Sequence, residues 1–482
     1  MRRFLQTLLS VYRVILARLS RKNWRHVLVD EGLRLGGVYV KFLQMLAVHQ
    51  STRQWVTSTR AQGVFEQVDY EPIDVDAMLM KARLKHHFQV VNPVPIAAGS
   101  YGQVYSATLS DGKNVIIKVL RPTVRKYLKQ DLLILGTVTF VLSQFMHGSM
   151  VRPHRLFKQF AQATRQETDY ITEAYNGEWF RNYFADGQGI VIPQTYVEYG
   201  NDSVLVQDYV PGISLSQVME LQDQGYKIEN LMQHYVGGSD IWAQLHTLGA
   251  ELLKASLKAD YIMADPHPGN VRLLPDNKVA LIDFGLVAEG PENRVAFRNI
   301  IHQLRNVYED TFAPGPFAAA MLAFYDTELS DALSISAEAQ GIDFVQILEK
   351  FVESQLNQSK NSVIADDLLR DRQTAQLFMR LVNTNNSLGL KLSEKDVLLQ
   401  RSLSMYLSIA RKIGEGQKNT NHFDVVLAAL REVDSMPGQA LAYQQPKRRM
   451  SEEQALEITS NWLSILAESN QGLYKRLLEG MS

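Results

Sequence analysis

Two short motifs decide the fold of this chain: ADPHPGN at residues 264–270 and, beyond two strand-like segments, IDFG at residues 282–285. They supply one aspartate, an asparagine five residues later, and a second aspartate after a predicted hairpin. This order fits the needs of phosphoryl transfer, in which one carboxylate orients or deprotonates an acceptor while a second carboxylate and an amide oxygen hold Mg²⁺. We therefore predict Asp265 as a catalytic residue and Asn270 and Asp283 as metal ligands.

A glycine-containing loop and a buried-type lysine lie upstream of these motifs. The loop reads AAGSYGQV at residues 97–104, where small residues let a backbone turn approach phosphates closely. Two glycines beside a hairpin are weak evidence alone. A hairpin signal, SDGK at residues 110–113, follows, and Lys118 then lies within VIIKV, where a lysine is costly unless it is paired. The predicted nucleotide-binding residues here are Ala97, Ala98, Gly99, Ser100, Gly102, Val104 and Lys118, and Lys118 is also predicted to be catalytic.

Partners for Lys118 are expected in a long helical segment from about Arg155 to Phe184. On one continuous helix, Asp169, Glu173 and Asn176 would share a face. A solvated polar face accounts for the same pattern equally well, so the pattern leaves both alternatives open.

The order of elements predicts an α+β fold with two lobes, because strand-like runs come first and helices dominate after Leu215. Residues Leu132 to Phe145 are apolar but too short to span a membrane, and we interpret them as a buried helix. The predicted divisions are an N-terminal helical extension, a kinase-like N-lobe with inserted helices, a helical C-lobe, a linker and a C-terminal helix, at 1–90, 91–213, 214–434, 435–450 and 451–482. A capping box, SEEQ at residues 451–454, is predicted to open the C-terminal helix.

Composition narrows the classes of function. The 482 residues contain no cysteine, which excludes disulfides, cysteine zinc sites and a thiol nucleophile. The formal net charge of −1 does not favour nucleic-acid binding.

The first 26 residues carry seven Arg or Lys residues and no acid. Their apolar residues recur at helical spacing, which predicts a basic amphipathic helix: Leu5, Leu8, Leu9, Tyr12, Ile15, Leu16 and Leu19. This helix either contacts an anionic membrane surface or packs on the next domain. The expected location is cytoplasmic, with peripheral membrane contact or organellar targeting as alternatives.

Taken together, the motifs resemble the UbiB/AarF family of atypical kinases over residues 30 to about 290, and the segment from Gly389 and Leu390 to Arg401 is similar to a helical C-terminal signature of that family. KFLQ at 41–44 is similar to the family's KxGQ motif, AAGS at 97–100 to its alanine-rich loop and ETD at 167–169 to its ExD motif. Leu43, Gly99 and Met263 stand where the family has glycine, a third alanine and histidine.

The resemblance implies roles for six further residues. Lys41 and Gln44 would cover the nucleotide pocket together with Glu167 and Asp169. Glu173 would pair with Lys118. Asp208 would lie where a kinase-like hinge meets adenine.

The expected activity is that of an ATPase or small-molecule kinase that uses ATP and Mg²⁺. By resemblance, it would act in isoprenoid-quinone or membrane-lipid metabolism, with a lipid or quinone precursor as ligand. The alternatives are an aminoglycoside- or choline-kinase-like phosphotransferase and a nucleotide-binding pseudokinase. A homodimer is also an open alternative. A helix that starts near Pro291 leaves no peptide-docking segment after residues 283–285, so transfer to protein substrates is not expected.

Overall fold

The structure is a computed structural model, and it describes residues 2–20, 24–48, 72–145, 153–186, 189–291, 293–309, 311–340, 349–350, 394–415, 421–436, 450–469, 471–472 and 474–475. The chain divides into two compact units. The first comprises Met1–Asn182, Pro193–Val210 and Asp283–Leu286, and the second comprises Tyr183–Ile192, Pro211–Ile282 and Val287–Ser482. Both contain helices and strands, and helices dominate overall, which confirms the predicted α+β class.

Seven of the described α-helices begin in the first unit, and the first four lie within the predicted N-terminal extension. They are α1 (Arg2–Leu19), α2 (Trp24–Leu35), α3 (Val38–Val48), α4 (Val75–Lys81), α5 (Pro122–Phe145), α6 (Pro153–Glu167) and α7 (Tyr170–Tyr183).

A four-stranded antiparallel sheet forms the β part of this unit. Its strands are β1 (Phe88–Ala98), β2 (Gly102–Leu109), β3 (Asn114–Leu120) and β5 (Val204–Asp208), in the order β1-β2-β3-β5. Strand β1 is an edge strand and contains Pro93 and Pro95, which fits the confinement of proline to sheet edges. Gly112 has a φ of +90° in the β2–β3 turn, and this conformation confirms the predicted hairpin.

Alternation along β3 decides which side chains face the core of the first unit. Val115, Ile117 and Val119 are buried among apolar side chains such as Leu79. Because successive side chains of a strand point to opposite faces, Lys118 lies on the other face of the sheet.

The predicted single helix from Arg155 to Phe184 is wrong in one respect, because the chain breaks at Thr168 and Asp169 into α6 and α7. The Asp169 carboxylate accepts hydrogen bonds from the Thr172 backbone N–H at 3.0 Å and from its hydroxyl at 2.8 Å, so Asp169 caps α7. Asp169 therefore does not share a helical face with Glu173.

The prediction of a buried helix at residues 132–145 is confirmed as to the helix but only partly as to burial. Leu132, Ile134 and Leu135 are buried on α5, whereas Leu133 and Phe140 are 72% and 52% exposed. The helix is therefore amphipathic and covers the core of the first unit with one face.

The second unit contains most of the remaining helices. They are α8 (Leu215–Asp223), α9 (Ile228–Val236), α10 (Ile241–Lys258), α11 (Arg294–Tyr308), α12 (Pro314–Tyr325), α13 (Thr327–Gln340), α14 (Glu394–Gly414), α15 (Asn421–Asp434) and α16 (Glu452–Ser469). The predicted capping box of α16 is present, since Ser451 and Gln454 exchange backbone-to-side-chain hydrogen bonds. Most of the predicted 435–450 linker lies outside the described residues.

Two small sheets complete the second unit. Strands β4 (Ile190–Val191), β6 (Ile213–Ser214), β8 (Val271–Leu273) and β9 (Val279–Leu281) form one sheet in the order β4-β9-β8-β6. The predicted hairpin is β8–β9, and Asp276 and Asn277 adopt positive φ in its turn. Strands β7 (Tyr261–Met263) and β10 (Val287–Glu289) pair antiparallel, a pairing that the sequence did not predict.

No helix among the described residues is long and apolar enough to cross a membrane.

Gly102 and Gly99 provide a matched test of packing in the β1–β2 loop. A Cβ on Gly102 would lie 2.3 Å from the hydroxyl of Tyr170, which is buried, and 3.0 Å from the Val119 carbonyl oxygen. A Cβ on Gly99 would meet nothing closer than 3.8 Å. We expect Gly102→Ala to lower the free energy of unfolding by about 1–3 kcal/mol, because overpacking forces buried groups apart. Gly99→Ala serves as the control in urea denaturation, and equal losses in the two variants would contradict the prediction.

Candidate active site

Lys118 lies at the centre of an ionic cluster in the first unit. Its Nζ is 2.7 Å from Glu173 Oε1, 2.9 Å from Glu173 Oε2 and 3.1 Å from Asp283 Oδ2. The Tyr170 ring lies beside it, with the ammonium 5.2 Å from the ring centroid. The Glu173 side chain is only 4% exposed and that of Lys118 is 21% exposed, so one partly buried cation compensates two carboxylates.

The shared cation gives the two carboxyls different proton affinities. Burial raises the pKa of Glu173 to about 7 despite the attraction of Lys118. Burial acts in the same direction on Asp283, but Lys118 and the Gly285 N–H outweigh it and lower the Asp283 pKa. Burial alone would lower the pKa of Lys118, yet the two carboxylates raise it well above its usual value. Lys118 and Asp283 are therefore charged at neutral pH, and Glu173 titrates near neutrality.

Asp283 is fixed by the residues that follow it. Its Oδ1 accepts the Gly285 N–H at 3.0 Å, and Asn176 Nδ2 donates to the Phe284 carbonyl at 3.0 Å. The buried Phe284 ring stacks on Phe180 with a centroid separation of 5.1 Å. Asn176, which was predicted to share a helical face with Glu173, therefore anchors the backbone of residues 283–285.

The predicted phosphate loop joins β1 to β2 at one end of the sheet. Ala97 and Ala98 end β1, and the Gly99 N–H donates to the Gly102 carbonyl at 2.8 Å, which closes the loop across Ser100. Arg121, which the sequence did not single out, donates from Nε to the Gly99 carbonyl at 3.1 Å.

Val104 lies in β2 directly opposite Lys118 in the sheet register. The loop and the lysine are therefore parts of one hydrogen-bonded sheet.

The family resemblance predicts that Lys41 and Gln44 meet Glu167 and Asp169, and the structure shows only part of this arrangement. Lys41 on α3 forms an ion pair with Glu167 at 3.0 Å and lies 5.7 Å from the centroid of the Tyr101 ring. Asp169, the other predicted partner, is used as the cap of α7. Gln44 is part of α3, but its side chain lies outside the described residues.

Asp208 is the last residue of β5, and both its side chain and its backbone N–H form hydrogen bonds within the protein. Its Oδ1 accepts the Tyr196 hydroxyl at 2.9 Å and is 3.1 Å from Lys113 Nζ, while its N–H donates to the Gln194 carbonyl. These contacts anchor the end of the strand, so the predicted adenine contact would use neither the Asp208 N–H nor this carboxylate oxygen.

The 264–270 motif forms a loop between β7 and β8 of the second unit, and hydrogen bonds within the motif stabilise it. Pro268–Asn270 is a single 3₁₀ turn, and His267 caps it by accepting the Gly269 N–H at 3.1 Å, which is a structural role. Asn270 Nδ2 lies 3.4 Å from the Asp265 carbonyl oxygen, and the Ile282 N–H donates to the Asn270 carbonyl at 3.1 Å. Since its amide nitrogen faces the Asp265 backbone, Asn270 keeps its side-chain oxygen for another partner.

Asp265 has a partner far along the chain, on α14, and the sequence did not predict this pairing. Arg401 Nη2 on α14 lies 3.0 Å from Asp265 Oδ2. Within the described part of the chain, Asp265 Oδ1 is buried and has no hydrogen-bond donor. Because 136 residues separate the two, local spacing could not have predicted the pair.

The oxygen donors of these residues fit Mg²⁺, which takes oxygen ligands and is usually held by one or two carboxylates together with substrate phosphates. Among the described residues there is no group of three or more His, Asp or Glu that could enclose a metal by itself. Asp283 in the first unit and Asn270 in the second each offer such an oxygen donor, and their assignment as metal ligands stays a prediction.

Comparisons with known proteins give the family. Residues 64–313, just over half of the chain, match the model of the ABC1 atypical kinase-like domain. The chain is similar to Protein ACTIVITY OF BC1 COMPLEX KINASE 3, chloroplastic, of Arabidopsis thaliana, with 30% identity over 225 residues. The aligned region covers 46% of this chain and 30% of that protein. It is 29% identical over 255 residues to the probable protein kinase UbiB of Shewanella oneidensis, covering 50% of this chain and 43% of that protein.

A third relative is an uncharacterized aarF domain-containing protein kinase, chloroplastic, of Arabidopsis thaliana. It is 32% identical over 221 residues, 45% of this chain and 29% of that protein. The chain thus matches less than half the length of each of these relatives. The family predicted from the motifs is confirmed, and the chain belongs to the ABC1 atypical kinase-like family, the UbiB/AarF group.

Proposed function

We propose that this protein is an Mg-ATP-dependent ATPase or small-molecule kinase with a bilobal kinase-like fold. The observation that carries the proposal is Lys118 shared by Glu173 and Asp283 at 2.7–3.1 Å. A cation fixed in this way is suited to the α- and β-phosphates of a nucleotide, and an adjacent carboxylate is suited to the metal that accompanies them. The family membership supports the nucleotide-binding part.

In this proposal each of the predicted site residues has a separate role. Lys118 and the 97–104 loop bind phosphates, and Asp283 and Asn270 hold Mg²⁺, which would neutralise charge on the transferred phosphoryl group. Asp265 orients the hydroxyl or water that attacks. The order of these residues along the chain supports the assignment, because it is the order that phosphoryl transfer in kinases requires.

Two observations bear on the phosphoryl acceptor, and a third bears on whether the protein is an active enzyme. Helix α11 begins at Arg294, capped by Asn293, which leaves a short segment after Gly285 for docking a peptide. A pseudokinase is disfavoured because Lys118, Asp265, Asn270 and Asp283 are all present. A small acceptor in isoprenoid-quinone or membrane-lipid metabolism is favoured over an aminoglycoside or choline by the Lys41–Glu167 pair and by the relative named UbiB.

An exposed apolar surface on α1 supports a lipid-related role. Thr7 and Ser10 are buried, and Ser10 donates to Glu31 on α2, so α1 packs through its polar side. Four side chains of the predicted apolar stripe point the other way, with 40–57% of each exposed: Leu5, Leu9, Tyr12 and Leu16. The side chains of Leu8, Ile15 and Leu19 lie outside the described residues. The seven cations of residues 1–26 would attract anionic lipid, so we propose that this stripe inserts into a membrane surface.

The central experiment measures Mg-dependent ATP hydrolysis and nucleotide binding in parallel. We expect the wild type to hydrolyse ATP, with stimulation by lipid vesicles or isoprenoid-quinone precursors and without transfer of ³²P to generic protein acceptors. Asp283→Asn should abolish the thermal stabilisation by Mg-ATP, because a metal ligand is lost. Asp265→Asn should keep that stabilisation and lose about 10²–10⁴-fold in turnover. Unchanged Mg-ATP affinity in Asp283→Asn would refute the metal assignment.

Replacement of Lys118 should destabilise the protein in a pH-dependent manner. Without the cation, the burial of Glu173 and the repulsion between Glu173 and Asp283 raise the pKa values of these carboxyls, so the folded state keeps protons that the unfolded state releases. Stability then falls as pH rises through the window between the unfolded and folded pKa values. We expect Lys118→Met to cost about 3–5 kcal/mol at pH 8 and less at pH 5, in urea denaturation without divalent metal. Lys129→Met, at an exposed position on α5, is the control, and a pH-independent loss would contradict the prediction.

Leu9→Glu should weaken membrane binding, because it places a charge in the exposed stripe of α1. Co-sedimentation with phosphatidylglycerol vesicles should fall, and wild-type binding should weaken with added salt. Met80→Glu, at a 63% exposed apolar position on α4, should bind as the wild type does. Equal binding of all three proteins at low and high salt would exclude the surface on α1.

A further inference from the structure

The pair between Arg401 and Asp265 extends the catalytic machinery beyond the matched domain. The family match ends at residue 313, whereas Arg401 lies on α14 (Glu394–Gly414). Its Nη2 is 3.0 Å from Asp265 Oδ2, and both residues belong to the second unit.

Helix α14 is firmly anchored in the second unit, so the position of Arg401 is determined. Leu399 and Leu403 on either side of it are buried. The Tyr406 ring packs so closely on α10 that a Cβ on Gly249 would lie 2.2 Å from it. At the far end, Lys412 Nζ lies 2.7 Å from an Asp223 carboxylate oxygen of α8. Arg401 therefore extends from a fixed base toward the catalytic loop.

The two oxygens of Asp265 have different environments. Oδ2 is bound by Arg401, whereas Oδ1 is buried and lacks a donor among the described residues. A buried acceptor without a donor is costly in a folded protein and calls for an explanation, which a catalytic role supplies. An oxygen that receives a hydrogen bond only from the reacting group is suited to orienting that group or taking its proton.

Resting on the proposed function, we propose that Arg401 is a positioning residue that fixes Asp265 through Oδ2 and so assigns Oδ1 to the acceptor. In the transfer, the acceptor oxygen forms its bond to the γ-phosphorus and its proton passes to Oδ1. The bond from the γ-phosphorus to the bridging oxygen breaks, and ADP leaves with that electron pair. Arg401 takes no part in these bond changes and acts by fixing the plane of the carboxylate.

Exposure separates this role from a structural one. The Arg401 side chain is 44% exposed and that of Asp265 is 25% exposed, and partly exposed ion pairs contribute little to stability. A positioning residue should therefore affect kcat strongly and stability weakly. A structural residue would do the reverse.

The test compares Arg401→Met, Arg401→Lys and the control Arg411→Met, which changes an exposed arginine in the last turn of the same helix. We expect Arg401→Met to lower kcat about 10- to 100-fold, since small misplacement of a catalytic group costs rate on this scale. The KM for ATP, the affinity for Mg-ADP and the melting temperature should change little, the last by about 2 °C or less. Arg401→Lys should restore part of kcat, because it keeps the charge and loses the planar fork.

Combination with Asp265→Asn decides whether Arg401 acts through Asp265. The residual turnover of Asp265→Asn should fall no further when Arg401→Met is added, since residues that act as a unit are non-additive. An additive loss, a loss equal to that of Arg411→Met, or a fall in melting temperature that accounts for the lost activity would overturn the proposal. If the wild type hydrolyses no ATP, the proposed function fails and this role fails with it, whereas wild-type turnover that Arg401→Met leaves unchanged refutes only the positioning role.

Discussion

The site in the first unit depends on one partly buried cation that compensates two carboxylates. Lys118 lies on β3 between Ile117 and Val119, which are buried on the other face of the sheet, and its own side chain is 21% exposed. Glu173 and Asp283 come from distant parts of the chain and would repel each other without it. Their convergence links β3, α7 and residues 283–285, because removing the cation leaves two carboxylates uncompensated.

The 264–270 loop of the second unit is stabilised differently, by hydrogen bonds within the motif and to Ile282. His267 caps the turn, Asn270 faces the Asp265 carbonyl, and the backbone of Ile282 closes the loop. None of these contacts engages the Asp265 carboxylate, so its orientation depends on a residue from elsewhere. Arg401 makes that contact from a helix well beyond the family match. A short motif can thus specify a loop conformation and still leave one of its carboxylates to be bound by a distant element.

The sequence predicted those features that local chemistry determines. The β2–β3 hairpin followed from Asp111 and Gly112, the start of α16 from its capping box, and the pairing of Lys118 from the cost of an apolar environment. The break between α6 and α7 was missed because Asp169 reads equally well as a helical surface residue and as a cap. The β7–β10 pair joins three-residue strands separated by more than 20 residues, which leaves no periodicity to detect. Arg401 belongs to the same class, since only the folded chain brings it to Asp265.

The N-terminal helix shows why an amphipathic pattern does not by itself identify the buried face. The usual inference is that the apolar stripe packs inward. On α1 the small polar residues Thr7 and Ser10 pack inward, and Ser10 together with Arg13 and Arg34 binds Glu31. Hydrogen bonds of this kind fix the rotation of the helix, because turning it over would bury a carboxylate without its partners. The exposure of Leu5, Leu9, Tyr12 and Leu16 is then a consequence of where the polar contacts lie.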